Sequence, residues 1–298
     1  MFSVIIPLYN KASFIKNTIE SVLCQTFEDY EIIVVNDSST DDSLGIVQKI
    51  NDQRLHVYTK PNEGVSAARN FGISKATHKI IAFLDADDVW EKDYLLSISL
   101  LVKRYPHAGI YATAYSGYLN GIEKYLSIVK GIPKISLIKD YFKVSYSHGL
   151  SINITSATCV RKDILMTMPL FRQNIKRGED LDVWLRISLT YPMAFYNESK
   201  MKYQVDTPSS LSSHYTVSSD DFPYTEWFNM KSTSSYFKKY IVLVIYMSAK
   251  NAYNFHDYKG CFQKLFAIWN IEVRVKFLKR IYLVFNSFLK LLNNTALN

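Results

Sequence analysis

The first hundred residues alternate between two hydrophobic periods. Short apolar and β-branched runs, typical of buried strands, are separated by longer stretches in which apolar residues recur every three or four positions, as in amphipathic helices. The predicted strands are Ser3–Pro7, Glu31–Asn36, Leu55–Thr59 and Lys79–Leu84. The predicted helices are Ala12–Thr26, Asp41–Ile50, Val65–Lys75 and Lys92–Tyr105. Because strands and helices alternate over short connections, we expect an α/β fold with a doubly wound, mostly parallel sheet.

Beyond residue 109 the alternation becomes irregular. Further strands are predicted at Ile110–Tyr118, Ile152–Val160, Met193–Tyr196 and Met201–Val205, and helices at Arg161–Met168 and Asp180–Tyr191. The stretch Asp206–Asp221 is rich in Ser and Thr and predicts a loop. Residues 236–298 have helical patterning throughout. We therefore expect one domain over 1–235, with halves 1–108 and 109–235, followed by a helical tail over 236–298.

Charge separates the domain from the tail. The whole chain has 35 Lys and Arg residues against 27 Asp and Glu residues, a net charge of +8. Residues 236–298 contain ten basic and two acidic residues, which is also a net +8, so residues 1–235 are neutral. A neutral domain argues against a nucleic-acid-binding protein, whose basic residues would cover a face of the fold.

The basic tail contains a predicted amphipathic helix over residues 276–292. At helical spacing, Phe277, Ile281, Phe285 and Phe288 share one face, and Lys276, Lys279, Arg280 and Lys290 lie opposite. Such a helix either packs on the domain or lies in the plane of an anionic membrane surface, and the sequence leaves both alternatives open. No apolar run reaches about 18 residues, so we expect no transmembrane helix.

Three isolated cysteines and the start of the chain bear on location. Cys24, Cys159 and Cys261 show no paired spacing, which indicates a reducing compartment and neither a disulfide framework nor a zinc site. The apolar run Phe2–Pro7 has no basic region before it and no cleavage site after it, so a signal peptide is not expected. We therefore expect a cytoplasmic protein, peripheral on the inner face of the cell membrane.

Chemically distinctive residues follow the predicted strands, where ligands bind in doubly wound sheets. They are Tyr9-Asn10, Asp37-Ser38-Ser39, Asn62-Glu63-Gly64 and Asp85-Ala86-Asp87. Two carboxylates flanking one residue at a strand end can bind a divalent cation that also binds phosphate oxygens, or they form a solvated acidic turn. Asp37 either caps the next helix or accepts the N3–H of a uracil base.

Two further segments carry candidate functional groups. Arg69 is either a surface arginine or a fixed cation that faces a nucleotide. Glu179 and Asp180 open a predicted helix, where acids are favoured by the helix dipole. A carboxylate at this position is also suited to take a proton from a sugar hydroxyl during displacement at an anomeric carbon.

The order and spacing of these segments resemble the serial motifs of glycosyltransferase family 2. The matching segments are Val4–Asn10, Glu31–Asp41, Asn62–Asn70, Phe83–Asp88 and Gly178–Asp180 with Trp184. The resemblance extends over roughly residues 2–190 and implies a GT-A fold with a Rossmann-like nucleotide half. It also implies an inverting sugar transfer from a nucleoside-diphosphate donor.

Residue roles follow from the resemblance by matching position. It implies that Pro7, Tyr9, Asp37 and Arg69 hold the nucleotide, with UDP the expected one. It implies that Asp85 supports the donor ribose and sugar and that Asp87 binds Mn²⁺ or Mg²⁺ bridging the diphosphate. Asp180 is then the general base, and Glu179 helps to place the acceptor. One displacement on an α-linked UDP-hexose, with glucose or galactose the preferred expectation, gives a β-linkage.

One departure from the family pattern concerns phosphate binding. Family members often carry Arg or His in the strand before a closing Ser-x-Ser loop, where this chain has Tyr203–Asp206. Lys202 and His214 are candidates to replace that basic residue. By analogy with similar members, the expected acceptor is a lipid-linked (polyprenyl-diphosphate) saccharide in bacterial O-antigen or other surface-polysaccharide synthesis.

Two alternatives of other classes stay open on the sequence. A nucleotidyltransferase shares the sheet and the metal site but needs a glycine-rich phosphate loop after the first strand, where this chain has Tyr9-Asn10-Lys11 without glycine. A non-catalytic nucleotide-binding scaffold would use the basic tail for docking and would not need Asp180.

Overall fold

The computed structural model describes residues 1–119, 122–149, 151–175, 177–204, 223–254 and 256–269. They form two compact units. The first comprises the described residues of Met1–Tyr141, Ile152–Asn174 and Gly178–Ser210 and contains every strand that the structure describes. The second comprises the described residues of Phe142–Ser151, Ile175–Arg177 and Leu211–Asn298. The functional division at residues 108 and 235 stays a prediction.

The first unit is built on one ten-stranded mixed sheet. Its strands are β1 (Phe2–Leu8), β2 (Tyr30–Asn36), β3 (Leu55–Thr59), β4 (Ile80–Phe83), β5 (Val89–Trp90), β6 (Ile110–Leu119), β7 (Ile122–Leu126), β8 (Ile135–Ile138), β9 (Thr158–Arg161) and β10 (Met193–Gln204). The strand order is β3-β2-β1-β4-β9-β6-β10-β5, with β7 beside β6 and β8 beside β10. Strands β1 to β4 pair in parallel, whereas β9 runs antiparallel to β4 and β6. The expected α/β fold class is confirmed.

Helices connect and cover these strands. They are α1 (Ile15–Leu23), α2 (Ser43–Gln48), α3 (Val65–Lys75), α4 (Tyr94–Arg104), α5 (Tyr141–His148), α6 (Lys162–Leu165), α7 (Glu179–Ser188), α8 (Tyr224–Asn229), α9 (Phe237–Asn254) and α10 (Tyr258–Trp269). All four strands and all four helices predicted in the first hundred residues are present, and Leu55–Thr59 and Val65–Lys75 have the predicted bounds. Buried β-branched runs and amphipathic helices are therefore sufficient to specify this half.

Alternating side chains of β1 place the core on both faces of the sheet. Val4, Ile6 and Leu8 belong to one buried cluster that also contains residues of α1 and α4. Ile5 points the other way, towards α3, because successive side chains of a strand alternate between faces. The sheet is therefore covered on both faces, as expected for parallel strands.

Three predictions in the second half are corrected by the structure. The predicted strand Ile152–Val160 contains a 3₁₀ turn at Thr155–Ala157 and becomes a strand only at Thr158. The predicted helix Arg161–Met168 is the short α6. The two predicted strands after Met193 form one strand, β10, because register shifts after Tyr196 and Ser199 accommodate the polar residues between them.

Helices of the second unit pack through aromatic side chains. Phe142 lies edge-on to Phe237 with ring centroids 4.8 Å apart, and Lys264 donates a hydrogen bond to Ser248 Oγ at 3.0 Å. The helix expected throughout 236–298 is divided into α9 and α10 over the described part. The predicted helix 276–292 and the predicted loop Asp206–Asp221 lie outside the described residues. In the described ranges, no helix combines the length and apolar character needed to cross a membrane.

Close packing of α3 on β1 yields a stability prediction. A Cβ added to Gly72 would lie 2.5 Å from Cγ2 of the fully buried Ile5, whereas one added to Gly45 would lie 2.3 Å from Oδ1 of Asp42, an exposed side chain that can rotate away. We expect Gly72→Ala to lower the free energy of unfolding by about 1–3 kcal/mol through overpacking. Gly45→Ala, the matched control, should be neutral or stabilising because it improves helix propensity. Urea unfolding measures both, and equal effects would contradict the close approach.

Candidate functional site

The carboxyl ends of the parallel strands bring the predicted nucleotide residues to one edge of the sheet. Leu8 pairs with Asn36 in register, so Tyr9 and Asp37 leave neighbouring strands at the same level. The backbone N–H of Asp37 donates to Leu8 O at 2.8 Å. Pro7 lies at the end of β1, and the Tyr9 side chain is 46% exposed. Their contact with a nucleotide stays a prediction.

Asp37 is buried and binds the segment that leads into α3. Its Oδ1 accepts hydrogen bonds from Lys60 Nζ at 2.9 Å and from the Glu63 N–H at 3.1 Å, and its Oδ2 accepts from the Gly64 N–H at 2.8 Å. At the start of α2 it is Asp41 that accepts from the backbone N–H of Ser43. These contacts hold the Asp37 carboxylate against the segment before α3. Asp37 does not cap α2, which was the other expectation for this residue.

Arg69 is buried and bridges the two acidic segments that contain Asp85 and Glu179. It projects from α3 with 3% of its surface exposed. Its two terminal nitrogens donate to Asp85 Oδ1 at 2.8 Å and to Glu179 Oε1 at 2.7 Å. Burial opposes its charge, but the carboxylates of Asp85, Glu179 and Asp180 outweigh burial and raise the pKa of Arg69. Arg69 is therefore buried and joins the two predicted acidic motifs, which excludes the alternative of a surface arginine.

Glu179 is the acidic group most perturbed by this arrangement. Burial and the neighbouring Asp180 carboxylate raise the pKa of Glu179 to about 7, although Arg69 acts in the opposite direction. The nearly complete burial of the Glu179 side chain is the largest cause, and the ion pair with Arg69 at 2.7 Å does not outweigh it. Glu179 therefore changes charge near neutral pH.

Asp180 lies at the wall of a cavity shared with the Asp85 segment. Its Oδ2 accepts a hydrogen bond from Thr155 Oγ1 at 2.7 Å, and its Oδ1 accepts from the Leu181 N–H at 2.7 Å. The cavity has a volume of about 280 Å³. Its polar lining includes Asp85, Asp88, Thr155, Ser156, Asp180 and Tyr203. The structure therefore brings the proposed base and a donor-motif carboxylate to one cavity.

The 3₁₀ turn at Thr155–Ala157 is a part of the site that the sequence analysis missed. Ser156 Oγ accepts from the Asp85 N–H at 3.0 Å and donates to Asp88 Oδ2 at 2.5 Å. Trp90 Nε1 donates to the Ser156 carbonyl at 2.6 Å. The apolar and β-branched residues around this turn were interpreted as a strand, so its hydroxyls gave no separate signal.

Asp182 has a structural role in α7, the helix that begins with Glu179 and Asp180. Its carboxylate is fully buried and pairs with Arg186 Nη2 at 2.9 Å and with Arg172 Nε at 3.2 Å. Trp184 packs against Phe83 with ring centroids 5.8 Å apart. These contacts anchor the first turns of α7 and thereby hold Glu179 and Asp180 in place.

Asp87 is partly buried and paired with a lysine that the sequence analysis did not assign to the site. Lys11 Nζ lies 2.5 Å from Asp87 Oδ2. In the described part of the chain, no group of three or more His, Cys, Asp or Glu side chains could hold a metal. Mg²⁺ and Mn²⁺ commonly bind one or two carboxylates together with substrate phosphates and waters. Asp87 fits that smaller donor set, so it would hold the cation together with a bound diphosphate.

The candidates for the missing basic phosphate contact lie elsewhere. Lys202 Nζ pairs with Glu91 Oε1 at 2.9 Å, while the adjacent Tyr203 lines the cavity. His214 lies outside the described residues. Over the described chain, the structure thus gives no support to Lys202 as a phosphate ligand.

Comparisons with solved structures agree with this architecture. Staphylococcus aureus TarS residues 1–349, crystallised with UDP-GlcNAc, superposes with a TM-score of 0.69 at 20% identity, over 96% of this chain and 79% of that chain. A mannosyltransferase of Pyrobaculum calidifontis in complex with GDP-Man and Mn²⁺ has a TM-score of 0.61 at 16% identity, over 99% of this chain and 79% of that one. At these identities the likeness shows a shared GT-A fold.

Sequence comparisons define the family. The model of glycosyl transferase family 2 matches residues 3–167. The putative teichuronic acid biosynthesis glycosyltransferase TuaG of Bacillus subtilis is 32% identical over 63% of this chain and 71% of its own length. An uncharacterized glycosyltransferase of Rickettsia bellii is 34% identical over 62% of this chain, which spans only 26% of that relative. The chain belongs to glycosyltransferase family 2 and has a GT-A fold.

Proposed function

We propose that this chain transfers a hexose, with inversion, from a UDP-sugar to a hydroxyl of a lipid-linked saccharide in bacterial surface-polysaccharide synthesis. The observation that carries the proposal is the shared cavity of Asp85 and Asp180, whose segments are tied together by Arg69. A single displacement needs a base on the acceptor side, which Asp180 at the start of α7 would supply, and a donor held by the segment that follows β4.

The donor side is assigned to Pro7, Tyr9, Asp37, Arg69 and Asp85. Asp37 is held by three protein donors and presents a carboxylate suited to the N3–H of uracil. Arg69 contributes through Asp85, because its guanidinium donates a hydrogen bond that orients the Asp85 carboxylate. The TarS neighbour binds UDP and UDP-GlcNAc, which supports a UDP-sugar donor here. We retain glucose or galactose as the proposed sugar.

Asp87 is assigned to a divalent cation, Mn²⁺ or Mg²⁺. When bound, such a cation neutralises charge that develops on the leaving diphosphate. The mannosyltransferase neighbour contains Mn²⁺, which supports this assignment for the fold. The protein's own contribution is to hold the Asp87 carboxylate in a partly buried position beside Lys11.

Asp180 is assigned as the general base and Glu179 as the residue that places the acceptor. Hydrogen bonds from Thr155 and the Leu181 backbone orient both oxygens of Asp180 while leaving it further acceptor positions. The acceptor oxygen gives its proton to Asp180 as it forms a bond to the anomeric carbon on the face opposite the leaving group. The bond from that carbon to the UDP oxygen breaks at the same time, so UDP leaves and the centre is inverted once. An α-linked UDP-hexose then gives a β-linked product.

The acceptor is proposed to be a polyprenyl-diphosphate saccharide at the cytoplasmic face of the membrane. Relatives include TuaG and the minor teichoic acid biosynthesis protein GgaA of Bacillus subtilis, which supports surface polymers more broadly than O-antigen alone. The chain spans only 26–30% of the length of three rickettsial relatives, so their whole activities are not carried over. The basic residues 236–298 support attachment to anionic lipid.

Replacing Asp180 tests the base. We expect Asp180→Asn to lower turnover by roughly a hundredfold or more with little change in UDP affinity, because a positioned base acts in the chemical step. Thr155→Val should cause a smaller loss, and the exposed Asp163→Asn serves as the control. UDP release with lipid-linked acceptors measures turnover, and NMR of the product gives its anomeric configuration. A retained configuration, or a near-normal Asp180→Asn rate, would refute the mechanism.

Chelation tests the cation assignment. We expect excess chelator to abolish transfer and added Mn²⁺ or Mg²⁺ to restore it. Asp87→Ala should lower turnover and UDP affinity together, because the proposed cation contacts the diphosphate both before and during transfer. Transfer assays and calorimetric UDP titrations measure the two effects. Full activity in excess chelator would exclude the assignment.

The raised pKa of Glu179 predicts a pH-dependent stability. Its pKa is about 7 in the folded state against an ordinary 4.5, so ionisation costs more free energy in the folded state than in the unfolded state. The free energy of unfolding therefore falls as the pH rises from about 4.5 to about 7. Glu179→Gln removes this dependence. The free energy of unfolding of the variant, relative to that of wild type, should rise by on the order of 3 kcal/mol between pH 5 and pH 8.

Urea unfolding at both pH values measures this gain. Glu198→Gln is the control, because a hydrogen bond from Lys134 lowers the pKa of Glu198, the direction opposite to that at Glu179, so this variant should not become more stable relative to wild type as the pH rises. A Glu179→Gln effect that does not change with pH would show that Glu179 is ionised throughout this range.

A further inference from the structure

Lys11 and Asp87 form a close ion pair across 76 residues of sequence. Lys11 follows β1, Asp87 follows β4, and Lys11 Nζ lies 2.5 Å from Asp87 Oδ2. Their side chains are only 13% and 14% exposed. A partly buried pair of this kind is screened less by solvent than a surface pair, so it holds the carboxylate firmly.

The backbone of Lys11 is fixed independently of this pair. Its N–H donates to Ser43 Oγ at 2.8 Å, and the N–H groups of Asn10 and Ala12 donate to Ser39 Oγ and Asp41 Oδ2. Lysine carries its charge on a flexible four-carbon stem. Lys11 can therefore redirect its ammonium among nearby anions while its backbone stays in place.

Two cations cannot share the same carboxylate oxygen without repulsion. The oxygen of Asp87 that Lys11 contacts belongs to the residue that fits the divalent cation. Lys202, the sequence candidate for a phosphate contact, pairs its ammonium with Glu91. A lysine displaced from Asp87 would supply the positive charge that the family pattern places elsewhere.

We propose that Lys11 is a tethered cation that exchanges partners when the donor binds. Without metal its ammonium holds Asp87, and when Asp87 takes the divalent cation, Lys11 transfers to the donor diphosphate. The inference rests on the proposed function, because it takes Asp87 as the metal carboxylate. It assigns the leaving-group cation of this chain to the loop after β1.

Mn²⁺ alone, UDP with saturating Mn²⁺, and uridine are the ligands for the test. Lys11→Met keeps the stem and removes the charge. In Lys11→Met the lysine ammonium no longer competes for Asp87, so the protein should bind Mn²⁺ alone roughly three- to tenfold more tightly than wild type. Electron paramagnetic resonance of the free Mn²⁺ measures this affinity. Calorimetry should show UDP binding weakened about tenfold by loss of a charge-assisted bond, and uridine binding unchanged.

Three further variants make the outcome decisive. Lys16→Met, on the exposed face of α1, should change none of the affinities, and Lys11→Arg should largely restore UDP binding. Unchanged Mn²⁺ affinity in Lys11→Met would overturn the exchange, and unchanged UDP affinity would overturn the diphosphate contact. If Asp87→Asn binds Mn²⁺ as wild type does, the metal assignment fails instead, so the two failures are distinguishable. Circular dichroism confirms that each variant is folded.

Discussion

The buried guanidinium of Arg69 is the interaction on which the arrangement of the site depends. It is almost inaccessible to solvent and donates to carboxylates that follow β4 and begin α7. Breaking a buried ion pair by removing one partner typically costs about 3–5 kcal/mol, because the remaining charge is left uncompensated. The cation can reach both carboxylates only because α3 lies close to the sheet. Gly72 and the buried Ala68 permit that approach.

The carboxylates of the site differ in what neutralises them. Asp37, Asp85 and Asp87, on the donor side, each contact a lysine or arginine within hydrogen-bonding distance. Asp180 instead accepts its hydrogen bonds from neutral groups, a threonine hydroxyl and a backbone N–H, and interacts with the Arg69 cation only through longer-range attraction. Cationic partners prepare the donor side for an anionic diphosphate, whereas neutral donors orient a base without neutralising its charge. The division of partners therefore follows the division of proposed roles.

Local sequence patterns were sufficient for the N-terminal strands and helices and for the acidic motifs. They were insufficient for contacts that depend on tertiary pairing. Lys11 meets Asp87 only because β1 and β4 are neighbours in the sheet. Lys60 follows β3 and gave no signal of its own, because its partner Asp37 follows the neighbouring strand β2. Arg69 was singled out as a functional candidate from its place in the motif, but its burial between two acids could not be predicted from a helical pattern.

The error at Ile152–Val160 has a functional reason. Apolar and β-branched residues favour a strand there, and in a strand Thr155 and Ser156 would point to opposite faces. The 3₁₀ turn brings both residues to one cavity, where Thr155 contacts Asp180 and Ser156 contacts the Asp85 backbone. A regular strand would therefore lose one of these two hydrogen bonds. Local propensity gives way where the site requires adjacent hydroxyls on the same side of the chain, as expected at functional positions.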